Sequence, residues 1–165
     1  MKYGVVSFDT IAKEIIDTKE YKKLSKETHH GLTRYDHSLR VARKTYHIAR
    51  SLNIDYVSAT RAALLHDFFT NEELKNIKGL KKGKIHPKIA LNNAKNSFNL
   101  NKKEEDAIIN HMFPLTILPP LSVEGVVVSV ADKAVAIYEC SRFKLSMTIG
   151  IWILFILNFL NFSNN

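Results

Sequence analysis

One cysteine, Cys140, is all the chain carries, so no disulfide can close within it and a reducing compartment suits it. Four prolines and six glycines in 165 residues are too few for the turns of an all-β domain or for a disordered chain. Glycine-based fingerprints are missing too: there is no P-loop, no dinucleotide-binding repeat and no nucleophile elbow. Acidic residues are the minority, 16 against 24 lysines and arginines, which leaves a net charge of +8. Such an excess attracts nucleic acid, anionic lipid or small phosphate compounds, and it equally describes a solvated lysine surface. No nucleic-acid-binding module or basic-aromatic platform accompanies it, which disfavours nucleic acid as the partner. The apolar stretch at residues 1–7 is too short for a secretory signal and, with the lone cysteine, predicts a cytoplasmic protein.

What is present is helical periodicity over a length that suits one domain. Ser7 is placed to cap a helix over 8–16, with Phe8, Ile11, Ala12, Ile15 and Ile16 on one face. Residues 19–26 suit a second short helix, and 28–35, with Gly31, a loop. Asp36 opens a helix to about Leu52, where Asn53 suits the stop. Asp55 caps a helix over 56–67, followed by a basic connection over 70–85. His86-Pro87 opens the next helix, with proline at the favoured first position and an end near Phe98. Asn101 caps 102–112, which Pro114 stops. Ser122 caps a helix over 122–138 whose Val126, Val127, Val130, Ala134 and Ile137 are expected to face inward. No strand is expected. The division is an N-terminal helical extension (1–27), a main domain (28–140) and a hydrophobic C-terminal helix (145–162).

That last segment carries no charge for eighteen residues. As a helix it spans roughly 27 Å, close to the minimum for a bilayer. Arg142 and Lys144 precede it, which would leave the main domain on the cytoplasmic side, tethered to the inner face of the membrane. A buried terminal helix or a homo-oligomer contact are the competing readings, and Ser146, Thr148, Gly150 and Asn158 keep both open.

The chemistry is concentrated in histidines and carboxylates that sit in helices. His66-Asp67 ends the apolar run Ala62-Ala63-Leu64-Leu65, where a carboxylate without a partner costs several kcal/mol or neutralises. A buried His-Asp hydrogen bond is one answer and a metal ion another. His37, His86 and His111 supply further nitrogen donors. Asp132 lies mid-helix among Val130, Ala131 and Ala134, where aspartate is a poor propensity choice and wants a strong partner. Nitrogen and carboxylate donors together suit a divalent transition ion, one of Fe, Mn, Zn, Co or Ni, and two such ions can activate a water and clamp a phosphoryl group. His29, His30 and His47 read as surface residues.

The order His37 in DHSLRVA, the doublet in ALLHDFF and Asp132 in SVADKAV resembles the HD superfamily of metal-dependent phosphohydrolases over about 33–138. The resemblance implies an all-α HD-domain helical bundle, with His37, His66, Asp67 and Asp132 on a first ion. His86 in HPKIA and His111 in INHM are similar to the two-metal branch, which includes symmetric dinucleoside tetraphosphate hydrolases and cyclic-dinucleotide phosphodiesterases. By that likeness Asp67, His86 and His111 hold a second ion. One-metal relatives, deoxynucleotide monophosphatases among them, lack the last two histidines.

The implied function is hydrolysis of a phosphate ester or anhydride, of a nucleotide or dinucleotide, by a metal-activated water that Asp67 helps orient. This chain reads HDFFT where many members carry HDIGK or HDIAK, so Arg40 or Lys133 must supply the cation that approaches the phosphate. Met112 stands where some two-metal members have another histidine, and no GYP motif appears, which disfavours cyclic di-GMP. The alternative is a metal- and nucleotide-binding sensor that signals through its C-terminal helix.

Overall fold

The computed structural model describes residues 5–29 and 32–163, with side chains for 5–27 and 32–145. The chain is all-α. Ser7 caps α1 (Phe8–Ile16) by accepting the Thr10 amide, and Phe8, Ile11, Ala12 and Ile15 go inward as their spacing predicts. Thr18 caps α2 (Lys19–Lys22), which passes directly into a 3-10 turn, Lys23–Lys26. Tyr21 and Leu24 from this stretch are fully buried, and the Tyr21 hydroxyl donates to the Leu64 carbonyl at 3.0 Å. The segment 28–35 is not wholly loop: β1 (Thr28–His29) and β2 (Leu32–Thr33) form a two-residue antiparallel pair. His30, Gly31 and the His29 side chain lie outside the described residues.

Several helix boundaries differ from those expected, the helices expected over 56–67 and 102–112 each ending two residues early, at Leu65 and Asn110. The third helix, α3 (Arg34–Ser51), begins two residues before Asp36 because the cap is Thr33. Its hydroxyl accepts the Asp36 amide at 3.0 Å and donates to the Asp36 carboxylate at 2.6 Å. Asp36 thus sits in the first turn, beside the positive helix end. Asn53, in the left-handed region at φ 54°, ends this stretch as expected. Asp55 caps α4 (Tyr56–Leu65). The next helix, α5 (Leu80–Ser97), starts not at His86-Pro87 but at Gly79, whose φ of 61° turns the chain into it. Pro87 is therefore an internal residue. It lies in the second turn, where the hydrogen bond it cannot make would have gone to Gly83. Gly83 itself lies hard against Leu115, and a side chain there would drive into it.

Asn101 and Glu104 form a reciprocal cap on α6 (Lys102–Asn110). The final helix, α7, is one piece from Val123 to Ser163 rather than two. No proline or glycine occurs between Val126 and Met147 to interrupt it. Four residues expected on its inner face, Val126, Val130, Ala134 and Ile137, are exposed; Val127, with Val128, Ala131 and Val135, packs inward instead. From residue 146 the run 145–162 lies outside the described side chains. Among the described residues, no helix is long and apolar enough to cross a membrane.

The core is built around α4, which packs on α1, α3, α6 and α7. Its Ala59, Ala62, Ala63, Leu64 and Leu65 are wholly buried on all sides. Burying each leucine contributes about 2 kcal/mol by the area removed from water. This central position is what carries the doublet after Leu65 into the middle of the molecule.

Candidate metal centre

The six expected donors arrive from five helices and meet around Asp67. His37 lies in the first turn of α3, placed there by the Thr33 cap. His66 is the C-cap of α4 and His111 the C-cap of α6, each entering at the end of a buried helix. His86 comes from the second turn of α5 and Asp132 from the middle of α7. His66, His86, His111 and Asp132 are all buried.

Three of the histidines share one orientation. Their Nδ1 hydrogens go to backbone carbonyls: His66 to Ala63 at 2.8 Å, His86 to Lys82 at 3.0 Å and His111 to Ile108 at 2.7 Å. Each partner lies three or four residues earlier on the same helix, so the helix itself fixes the tautomer and leaves Nε2 a lone pair. His37 gives its Nδ1 hydrogen to the Glu139 carboxylate at 2.8 Å, the same arrangement with a charged acceptor.

The Nε2 atoms converge. His37 Nε2 faces Asp132 Oδ1 at 3.1 Å, and His66 Nε2 faces the same oxygen at 3.6 Å and Asp67 Oδ2 at 3.9 Å. The other Asp67 oxygen, Oδ1, faces His86 Nε2 at 3.2 Å and His111 Nε2 at 3.8 Å. The two Asp67 oxygens thus look toward different histidines, His66 on one side and His86 with His111 on the other. Two clusters have all their donor atoms within 4.8 Å of one another: His37, His66 and Asp132, and His66, Asp67 and His111.

The donor set fits a cation. Buried His66 Nε2 and Asp67 Oδ1 have no hydrogen-bond partner. His86 Nε2 and His111 Nε2 face each other at 3.0 Å although both rings donate through Nδ1, so two lone pairs meet unless a proton or metal ion stands between them. Donors about 2.1 Å from one ion lie roughly 3.0 to 3.4 Å apart along the edges of its coordination shell. The pairs here span 3.0 to 3.9 Å.

Electrostatics agree. Burial pushes the Asp67 and Asp132 carboxyls up, but the surrounding histidines more than reverse this and hold both far below the ordinary range. Burial and the neighbouring His66 push His111 down to about 3, which keeps it a neutral donor. Burial opposes charge on His37, yet the Asp132 and Asp67 carboxylates raise it to about 9. Buried Asp132 and half-buried Asp67 therefore draw positive charge into this space, from protons or from a metal that displaces them.

Arg40 and Lys133 end on protein acceptors. Arg40 Nη1 donates to Glu139 Oε1 at 2.8 Å. Lys133 Nζ donates to the His111 carbonyl and the Ser129 hydroxyl, both at 2.8 Å, and burial lowers its pKa. Glu139 escapes notice in the sequence, although it lies seven residues, two helical turns, after Asp132 and so on the same face. Buried Arg34 escapes it as well: its guanidinium lies 3.9 Å over the Phe69 ring, which packs against His86. His47 is exposed, packs edge-on against Tyr46 and belongs to neither donor cluster.

The family model for the HD domain matches residues 34–137. None of the curated proteins and none of the solved structures matches the chain.

Proposed function

Because the chain belongs to the HD-domain family, we propose that it is a divalent-metal-dependent phosphohydrolase cleaving a phosphate ester or anhydride of a nucleotide or dinucleotide. The observation that carries this is Asp67, half-buried among three histidines that present Nε2 and able to reach both sides with its two oxygens. His37, His66, Asp67 and Asp132 would hold one ion, and Asp67, His86 and His111 a second, as in the two-metal branch. Bound there, divalent transition ions activate water and stabilise the charge that develops on a phosphoryl group.

The chain's own residues do the positioning. The backbone carbonyls of Ala63, Lys82 and Ile108 lock three imidazoles, and Glu139 locks the fourth. Asp67 bridges the two donor sets and orients the attacking water. Arg40, half-exposed beside Glu139, would be the cation that meets a phosphate. Lys133 places a cation against the carbonyl of His111.

The test is metal content of anaerobically purified protein, with turnover of a panel of nucleoside monophosphates, dinucleoside polyphosphates and phosphodiesters. Two ions per chain, falling to one in His86→Ala and to none in His66→Ala, support the two-metal reading. One ion that His86→Ala leaves in place directs the panel to monophosphates. Absence of any bound or bindable metal defeats the hydrolase reading. A sensor is the second reading, favoured by one feature: Asp132 and Glu139 lie on the helix that runs on to Ser163. Metal and nucleotide binding without turnover of any panel member would select it.

A further inference from the structure

The polarity of α7 is the reverse of that expected for a helix on a domain surface. Between Val123 and Cys140 its charged residues are Glu124, Asp132, Lys133 and Glu139. All four turn inward: Glu124 to Lys103, Asp132 and Glu139 to His37, and Lys133 to the His111 carbonyl. The outward face is Val123, Val126, Val130, Ala134, Ile137 and Ser141, one residue every three or four positions and none charged. Val130 is 57% exposed, Ile137 67%, and Leu121 just before the helix 90%. Helix faces in contact with water are normally charged and polar.

We propose that this face docks a second copy of the chain, with α7 lying alongside the partner's α7 about a two-fold axis. Charge is the first argument. A chain of net charge +8 repels itself, and like charges brought together across an interface cost several kcal/mol. From Val123 to Ser141 this stripe has no charge of either sign to oppose its own image, Lys144 being the first charge along it. Size is the second: Leu121, Val123, Val126, Val130 and Ile137 are each 46–90% exposed in one run, and apolar patches of more than a few hundred Å² mark interaction surfaces.

Length is the third argument. The stripe over 123–141 runs roughly 27 Å along the helix before the uncharged segment begins. A bilayer that took in 145–162 would leave that stripe in water. A helix lying on a lipid surface normally carries lysine and arginine along its length, whereas over 123–141 the one basic residue, Lys133, turns inward, and Arg142 and Lys144 come only at the C-terminal end of the stripe. A neighbouring helix covers the whole stripe, and Ala134 and Ser141 are small enough for close approach.

The experiment is sedimentation velocity with light scattering on the full chain at micromolar concentration, wild type beside Val130→Glu and Ile137→Glu. Both positions are exposed and neither is a candidate ligand, so helical circular dichroism and metal content should be unchanged. Wild type is expected at twice the chain mass, and each variant at the single-chain mass with a dissociation constant at least 100-fold weaker. Val130→Ser, which adds no charge, should weaken association by a smaller factor. A monomeric wild type overturns the proposal, and so does a monomer that floats with vesicles of phosphatidylethanolamine and phosphatidylglycerol. Association that survives both glutamate substitutions overturns it too, since the contact would then lie elsewhere.

Discussion

His37 is held from both ends: Glu139 takes its Nδ1 hydrogen at 2.8 Å and Asp132 faces Nε2 at 3.1 Å. Glu139 lies outside the donor cluster, so it acts by fixing the ring and by raising the basicity of the nitrogen that faces inward. Glu139→Gln keeps the shape and removes the charge. It should weaken metal binding by about 10- to 100-fold, read by competition with a chromophoric chelator, while the fold is retained; unchanged affinity would remove Glu139 from the positioning role. Asp106 makes a different point. Its carboxylate accepts the Leu121 amide at 3.0 Å, the Ser122 amide at 2.8 Å and the Ser122 hydroxyl at 2.6 Å, pinning the loop that leads into α7. Partial burial raises its pKa, but the Ser122 hydroxyl and the two amides outweigh this and hold it below the ordinary value. A depressed folded pKa means that this stabilisation is complete above the unfolded value of about 3.9 and is lost as pH falls through the lower folded value. Asp106→Asn should cost about 1–2 kcal/mol at pH 7, and denaturant unfolding should show the gap to wild type closing in acid.

At the scale of elements, α4 decides where the chemistry goes. Leu64 is completely buried, and its carbonyl also receives the Tyr21 hydroxyl, so the helix is fixed by apolar contact and by a bond from the N-terminal segment. Leu64→Ala should destabilise the fold by roughly 2–5 kcal/mol, measured by urea unfolding, and a loss well under 1 kcal/mol would mean that the core closes around the gap. The apolar run before His66 is visible in the sequence because burial on all sides needs unbroken small and apolar residues. The helix caps are visible for a similar reason: Ser7, Asp55, Asn101 and Ser122 each accept a backbone amide of the turn they open. The start of α5 was not legible. A His-Pro pair suits a helix start, and nothing local says that a glycine seven residues earlier has already turned the chain into the helix. Nor was the inner face of α7. Periodicity marks an apolar stripe but does not say whether the domain or something else covers it. Here the charged positions, drawn to the histidines and to Lys103, took the inside.

At the scale of the molecule, the centre holds two carboxylates that stay ionised among histidines, with His66 Nε2 and Asp67 Oδ1 buried and unpaired. An unpaired buried polar atom costs about 1–3 kcal/mol. A metal ion removes that cost only in the folded chain, because the donors come from five separate helices and are scattered once it unfolds. Binding is then linked to stability. An ion present at a thousand times its dissociation constant adds about 4 kcal/mol. For a chain of this size each kcal/mol moves the midpoint by roughly 2–4 °C, so calorimetry in manganese or zinc should show a rise of about 8–16 °C over the chelated protein. Protons compete for the same nitrogen lone pairs, so the rise should shrink as pH falls. His66→Ala should abolish it, since that ring stands between the two donor sets. A midpoint that no divalent ion moves would leave the six donors as a charged core without a metal, and the proposed hydrolase would fall with it.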